Sequence, residues 1–314
     1  MGFGVKSLSM AAHPTALITG ASRGLGKCLA TNLWDSGYNL ILVARDATTL
    51  NKLSIELNKS LSINQTLDQQ HRAITIYTCD LANISDIDKL VKTLFINHSS
   101  LDVLINNAAI QGPIGKSHDI WTTKPDSFRE AIQVDLLAPI ELASRLVPLM
   151  VKNDPATAQY PSSIINLSGG GATGPRPNFS AYATAKTGLV RFTEILAEEV
   201  KELGIRVNCI APGAMKTSMM QEILSKDRRI AGAKEYSTAQ KVLADGGSSM
   251  QRVAQLVMYL IGARSEFITG RLISASWDNW ESLHEHGGKL SLSDLFTLRR
   301  ITGRDRGHPW ADAR

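Results

Sequence analysis

Tyr182 and Lys186 stand four residues apart in the stretch NLSGGGATGPRPNFSAYATAK, Asn166 to Lys186. On a helix beginning near Ser180 that spacing sends both side chains out of one face. A phenol with a reference pKa of about 10 is a poor proton donor or acceptor at neutral pH unless a neighbouring ammonium stabilises its phenolate. Lysine one turn away supplies such a group. The same stretch opens on Ser168 and three glycines, which raises the question of what holds a substrate oxygen opposite the tyrosine. With six tyrosines in the chain, a lone Tyr-Lys pair arises readily by chance, and its surroundings must decide what it means.

A second chemical signal is TGASRGLG, Thr19 to Gly26, placed between an apolar run and a helical pattern. Glycines in that frame let the backbone approach a pyrophosphate, and the helix start offers unpaired N–H groups to it. The next apolar run ends VAR, with Arg45 followed by Asp46. A carboxylate there binds the ribose 2′-hydroxyl of NAD, whereas a cation pairs with the 2′-phosphate of NADP. Arg45, with Arg23 in the glycine loop, favours NADP(H). NAD(H) stays open because Asp46 can swing back, and both arginines also admit a reading as solvated surface charge.

The elements that must carry these residues alternate along the chain. The runs TALITG, NLILVAR, AITIYTCD, LDVLINNA, SSIINLS, IRVNCIAPG and ITGRLISAS are continuously apolar, as strands buried on both faces of a parallel sheet are. Between them, Leu25, Cys28, Leu29 and Leu33 form one helical stripe, and SDIDKLVKTLF starts at a Ser/Asp cap and repeats Ile87, Leu90, Val91 and Leu94. The pattern predicts an α/β fold: a single doubly wound parallel sheet of about seven strands with helices on both faces. The domain runs over 13–276, and 277–314 form a partly helical C-terminal extension packed on the domain or a neighbouring subunit. Residues 154–163 read as a loop and 217–247 as a mobile lid. In the extension, SLSDLFTLRRI suggests a helix capped at Ser293.

Bulk properties narrow the class. A net charge of +5, from 34 basic and 29 acidic residues spread along the chain, leaves no nucleic-acid footprint. Cys28, Cys79 and Cys209 are far apart in apolar surroundings and read as buried thiols of a reducing compartment. MGFGVKSLSMAA has no signal-peptide pattern, and no segment is apolar for the length of a membrane span. A cytoplasmic protein without membrane or nucleic-acid partners is expected. His284 and His286, two residues apart without further ligands, predict no metal.

TGASRGLG, CDL (Cys79 to Leu81), NNAA (Asn106 to Ala109), Ser168, YATAK and RVNCIAPGAMKT occur in that order. Together they resemble the classical short-chain dehydrogenase/reductase family over roughly residues 13–275. That resemblance implies a Rossmann-like fold and an NADP(H)-preferring oxidoreductase acting on a carbonyl or secondary alcohol, with Ser168, Tyr182, Lys186 and Asp135 at the chemical step. It implies that Gly20, Ser22, Arg23, Gly24, Leu25 and Gly26 line the phosphates, with Arg45 at the 2′-phosphate and Asp80 and Leu81 flanking the adenine. Asn107 and Ala108 support the centre of the cofactor, Lys186 also holds the nicotinamide ribose, Tyr182 adjoins it, and Pro212, Gly213 and Thr217 anchor the carboxamide. A homodimer or homotetramer is implied as well.

Three positions depart from the family pattern. Ala109 replaces a glycine. Asp135 stands where an asparagine usually supports a water relay to the lysine, and predicts a working relay with altered pH dependence. The orienting serine usually precedes the tyrosine by 13 residues, which falls on Gly169; Ser168 fills the role if the glycine loop holds one extra residue. Arg176, Lys216, Lys226, Arg228 and Arg229 would suit an anionic substrate, whereas Met215, Met219 and Met220 would suit an apolar one. Trp277, Trp280 and Trp310 could cover the cleft or pack at an edge. Two rival functions stay open: reduction of 3-oxoacyl thioesters, and a catalytically silent NADP-binding sensor.

Overall fold

Each of the seven apolar runs forms a strand in a computed structural model that describes residues 13–61, 72–152 and 161–308. They are β1 (Thr15–Thr19), β2 (Asn39–Ala44), β3 (Ile74–Thr78), β4 (Val103–Asn106), β5 (Ser162–Leu167), β6 (Ile205–Ala211) and β7 (Leu272–Ser274). All pair in parallel in the order β3-β2-β1-β4-β5-β6-β7. The order reverses between β1 and β4, which opens a crevice beyond the carboxyl ends of those strands.

Successive strand residues feed opposite faces of the sheet. Ile18, Ile105, Ile165 and Ile210 pack with α1 (Gly24–Asp35) and α2 (Ala47–Leu61), and with the helix Met250–Ile261. Leu17, Leu104, Ile164 and Val207 pack with α3 (Ile84–Asn97) on the other face. Short α4 (Ser117–Thr123) leads to α5 (Pro125–Ile132), a π-helical turn over Gln133–Leu137, and α6 (Ala138–Met150). The π turn inserts a wider loop of backbone into one long helix, a device frequent at functional sites, and it carries Asp135. Helix α7 (Ser180–Glu199) starts at the predicted residue and shares its buried face with α6.

The lid region is helical: α8 (Ser218–Leu224), α9 (Arg228–Ala231) and α10 (Ala233–Asp245). Ile223, Ala231 and Ala239 bury against Ile114 and Phe179, giving the lid a small core of its own. Helix α11 (Met250–Ile261) then returns to the sheet.

Several expectations are corrected. Helix α3 is capped by Asn83, whose side chain accepts from Ser85 N–H, so the helix starts ahead of the expected Ser/Asp pair. Cys28 is only partly buried, beside Gln251. Ser162 and Ser163 belong to β5 and not to the preceding loop, whose residues 154–160, like 1–12 and Trp310, lie outside the described residues. The extension holds a 3-10 turn over Trp280–His286 and α12 (Gly287–Ser291), but no helix over SLSDLFTLRRI. There the backbone is engaged elsewhere: Leu272 N–H donates to Phe296 O at 2.8 Å along the outer edge of β7. Ser293 Oγ donates back to Leu290 O and caps nothing ahead of it.

Buried Arg271 fastens this extension, donating to the carbonyls of Leu290, Ser293 and Leu295 at 2.7 to 2.8 Å. Replacing it by alanine should cost about 1–3 kcal/mol, because three acceptors lose a charged donor. The check is amide hydrogen exchange, which should accelerate over residues 287–298 before it does in β1 or β4.

Candidate active site

A cleft of ≈1330 Å³ opens at the carboxyl ends of the strands and joins the glycine loop, the Tyr-Lys pair and the lid. At its phosphate end, the chain leaves β1 through Gly20 with φ +64°, a left-handed turn that suits glycine. Thr19 Oγ1 accepts from the N–H groups of Asn107 and Ala108 at 3.0 and 3.1 Å. Asn107 Nδ2 donates to the carbonyls of Thr19 and Gly20. These bonds stitch the ends of β1 and β4 across the strand-order reversal. Gly26 lies so close beneath that a methyl on it would meet Gly20 O at 2.1 Å. Arg23 precedes α1 in an extended conformation without a side-chain cap, and no acidic residue occupies the first turn. That leaves helix N–H groups free for an anion.

Ser22, Arg23, Gly24, Leu25 and Arg45 line this end, both arginines being exposed. Asp46 is occupied: its Oδ1 accepts from Thr48 N–H at 2.8 Å, and this bond holds its carboxyl below the ordinary value. Asp80 Oδ1 accepts from Ala82 N–H and closes the turn after β3, with Leu81 buried beside it. Pro212, Gly213 and Thr217 line the far end of the same cleft. An uncapped, acid-free helix start beside two arginines fits a pyrophosphate with a 2′-phosphate.

At the chemical end, Lys186 is fully enclosed and donates to Leu167 O at 3.0 Å, with Nζ 5.7 Å from the centre of the Tyr182 ring. Asp135, also fully enclosed, accepts from Ile110 N–H through Oδ1 at 2.9 Å, while Oδ2 has no hydrogen-bond partner among the described residues. Burial pushes its carboxyl up to about 6, against the pull of Lys186 and the Ile110 N–H. The Tyr182 phenol is driven well above its usual value by burial and by Asp135, and Arg176 acts in the opposite direction.

The glycine loop gives an asymmetric answer to the serine question. A methyl built on Gly169 would stand 2.1 Å from the Tyr182 hydroxyl, so position 169 faces the tyrosine and carries no side chain. Ser168 also lines the cleft, but its Oγ is buried without a hydrogen-bond partner among the described residues. Its influence falls instead on Cys209, a thiol pushed up to about 12 by burial and eased slightly by Lys186, Thr193 and Ser168. A 13-residue count back from the tyrosine was the sequence signal for position 169.

Arg176, Lys216, Met215, Met219, Met220 and Trp277 line the substrate side, whereas Lys226, Arg228 and Arg229 do not; Arg229 pairs with Asp227. Trp280 packs in the core beneath. Sequence reasoning missed Glu222, Glu235 and Asp278, which bring negative charge to the same wall. Glu235 lies on a different element from Arg176 and 59 residues away from it, and no local pattern marks it. Among the described residues there is no group of metal ligands, and no helix is long and apolar enough to cross a membrane.

Asp135 makes a signed prediction. Its folded value of about 6 lies above the carboxylate reference of 3.8. The folded state therefore binds more protons than the unfolded chain between those values, and stability falls as pH rises through that window. Asp135→Asn should melt at the same temperature as the parent below about pH 4 and higher above pH 6, by an amount on the order of 2–3 kcal/mol. Thermal unfolding across pH checks it. Removing the carboxylate also removes a charge that opposes the phenolate, so the basic limb of alcohol oxidation should move to lower pH.

A family model described as short chain dehydrogenase matches residues 14–228. Among curated proteins, the chain is 29% identical over 273 residues to 3-oxoacyl-[acyl-carrier-protein] reductase FabG of Escherichia coli strain K12, covering 87% of this chain and 96% of that one. It is 26% identical over 265 residues to human Dehydrogenase/reductase SDR family member 4, covering 83% and 86%. Among solved structures, YwfH, described as an NADPH dependent reductase involved in bacilysin biosynthesis, superposes with a TM-score of 0.70 at 20% identity over 84% of this chain and 97% of its own. A short chain dehydrogenase from Escherichia coli CFT073 complexed with NADPH gives 0.67 at 24% identity, over 85% and 98%. With the family model spanning more than half of the sequence over the glycine loop and the Tyr-Lys helix, this chain belongs to the short-chain dehydrogenase/reductase family of oxidoreductases.

Proposed function

We propose that the protein interconverts a carbonyl and a secondary alcohol with NADP(H), using Tyr182 as the proton donor in reduction and acceptor in oxidation. The supporting observation is spatial: Tyr182 and Lys186 stand in the same cleft as the uncapped start of α1 and the arginines Arg23 and Arg45. Bound NADP(H) supplies the hydride donor or acceptor that no side chain can provide. Arg23 and Arg45, exposed at the phosphate end of the cleft, favour the phosphorylated cofactor.

Gly20, Ser22, Gly24, Leu25 and Gly26 would hold the phosphates, Asp80 and Leu81 the adenine, and Asn107 and Ala108 the middle of the cofactor. Pro212, Gly213 and Thr217 would hold its carboxamide end. Tyr182 delivers its phenolic proton to the substrate oxygen, and the buried Lys186 ammonium stabilises the phenolate left behind. Asp135 balances the lysine charge from the π turn. Ser168 lines this wall one residue short of the position that faces the tyrosine, and from there would orient the substrate oxygen.

The wall formed by Met215, Met219, Met220 and Ile223 suits an apolar chain, since methionine adapts to varied apolar shapes. That lining, and the similarity to FabG proteins, favours a 3-oxoacyl thioester within the broader carbonyl class over an anionic small molecule. A homodimer or homotetramer is the expected assembly, which light scattering checks. The function is tested by following nicotinamide oxidation with NADPH and NADH over a panel of ketones and 3-oxoacyl thioesters. Faster turnover with NADPH is expected. Tight NADPH binding with no turnover on any of them would replace the enzyme reading by that of a sensor.

A further inference from the structure

Arg176 lies where the glycine loop, the tyrosine helix and the lid meet. Its Nε and Nη2 both donate to Glu235 Oε2, at 2.9 and 2.7 Å. Glu235 is in the first turn of α10, and the two side chains are only 11% and 21% exposed. The guanidinium carbon lies 4.1 Å from the centre of the Phe179 ring and 5.5 Å from that of Tyr182. A methyl on Gly170 would sit 3.7 Å from Arg176 Nε, and one on Gly171 would sit 3.1 Å from its Cβ and 2.6 Å from Ala183 Cβ. A side chain is thus excluded at Gly171, where it would crowd Arg176 and the tyrosine helix, while Gly170 is in ordinary contact range of the guanidinium.

A cation over an aromatic face, desolvated and fixed by a carboxylate, is oriented in a way that an exposed arginine is not. We propose that Arg176 is a positioning residue for Tyr182, and that its ion pair with Glu235 transmits the placement of lid helix α10 to that tyrosine. The inference rests on Tyr182 being the proton donor. With the lid seated, Glu235 holds the guanidinium over the ring. With the lid displaced, the guanidinium loses its anchor and the tyrosine loses a charge that favours its phenolate. The charged groups around Tyr182 are Asp135 from the π turn, Lys186 from α7 and Arg176 from the loop, with Glu235 from α10 paired to Arg176. Of these, Arg176 and Glu235 belong to the surfaces that meet at the lid. A purely structural latch would share the ion pair but would leave the tyrosine indifferent to it.

Three variants of the full chain separate these roles: Arg176→Met, Arg176→Lys and Glu235→Gln. In the NADP⁺-loaded protein, ionisation of Tyr182 is read as the ultraviolet difference between each variant and its Tyr182→Phe counterpart. Arg176→Met should move that ionisation and the basic limb of the pH-rate profile up by about one pH unit. It should lower kcat more than it raises KM, and Arg176→Lys should recover part of both effects. Glu235→Gln, which removes the charge that anchors the guanidinium over the ring, should move the ionisation in the same direction as Arg176→Met by a smaller amount and speed hydrogen exchange in α10. A shift the other way would overturn transmission through the lid. An unchanged ionisation in Arg176→Met, even with α10 loosened, would overturn the proposal and leave a latch. If the parent protein turns over no carbonyl, the proposed function fails separately, and the ultraviolet ionisation still decides whether the arginine acts on the tyrosine.

Discussion

Tyr182→Phe should lower turnover by ~10²–10⁴-fold, the range that a positioned proton donor contributes, while NADPH binds with affinity close to that of the parent. The phenyl ring keeps the aromatic body that lies beneath Arg176, so the only loss is the hydroxyl facing Gly169. Position 169 has no side chain to take over, and Ser168 Oγ is buried with no hydrogen-bond partner among the described residues. Steady-state turnover paired with a cofactor-fluorescence titration checks the split. A variant that loses NADPH binding in proportion to turnover would show that Tyr182 holds the cofactor rather than the proton.

The second large effect is at the phosphate end. Gly26→Ala should weaken NADPH binding by an order of magnitude or more and destabilise the fold by about 1–3 kcal/mol, as overpacking of a close contact does. Its methyl would meet Gly20 O at 2.1 Å, Gly20 C at 2.8 Å and Asn107 Nδ2 at 2.7 Å. Two of those atoms are backbone, and the third is tied to Thr19 O and Gly20 O. Relief therefore requires α1 to retreat from the turn that ends β1, which withdraws the helix N–H groups from an anion. By contrast, Gly24→Ala has open space around the new methyl, and only its φ of +53° opposes it. Isothermal titration with NADPH and thermal unfolding of the two variants separate a crowding effect from a conformational one.

The strands were legible because their signal is local: residues such as Leu17 and Ile18 are buried on opposite faces, so an uninterrupted apolar run is what a parallel strand must look like. The Tyr-Lys spacing was legible for the same reason, since one helical turn fixes which side chains share a face. Two features were not. The π turn at Asp135 depends on how α5 and α6 are fitted against α7, which no short-range pattern encodes. The stretch after Ser293 has apolar residues and a cap signal, yet its carbonyls serve Arg271 and the edge of β7. The cleft divides likewise. Its phosphate end lies on a contiguous motif, whereas the Arg176–Glu235 contact joins the glycine loop to a distant helix and exists only after folding.

The bond from Leu272 N–H to Phe296 O bears on how the protein behaves in bulk. A sheet with an unpaired last strand offers a template to any other chain with a free strand, and such edges are what nucleate uncontrolled association. Here the chain supplies its own stopper, with Leu298 tucked against Ala172, Val190 and Cys209 beneath it. A shortened form ending near residue 276 would keep every catalytic candidate and still be a poorer protein to handle, because the β7 edge of its sheet would be open to growth as well as the β3 edge. The residues past the catalytic fold thereby act as a guard on colloidal behaviour.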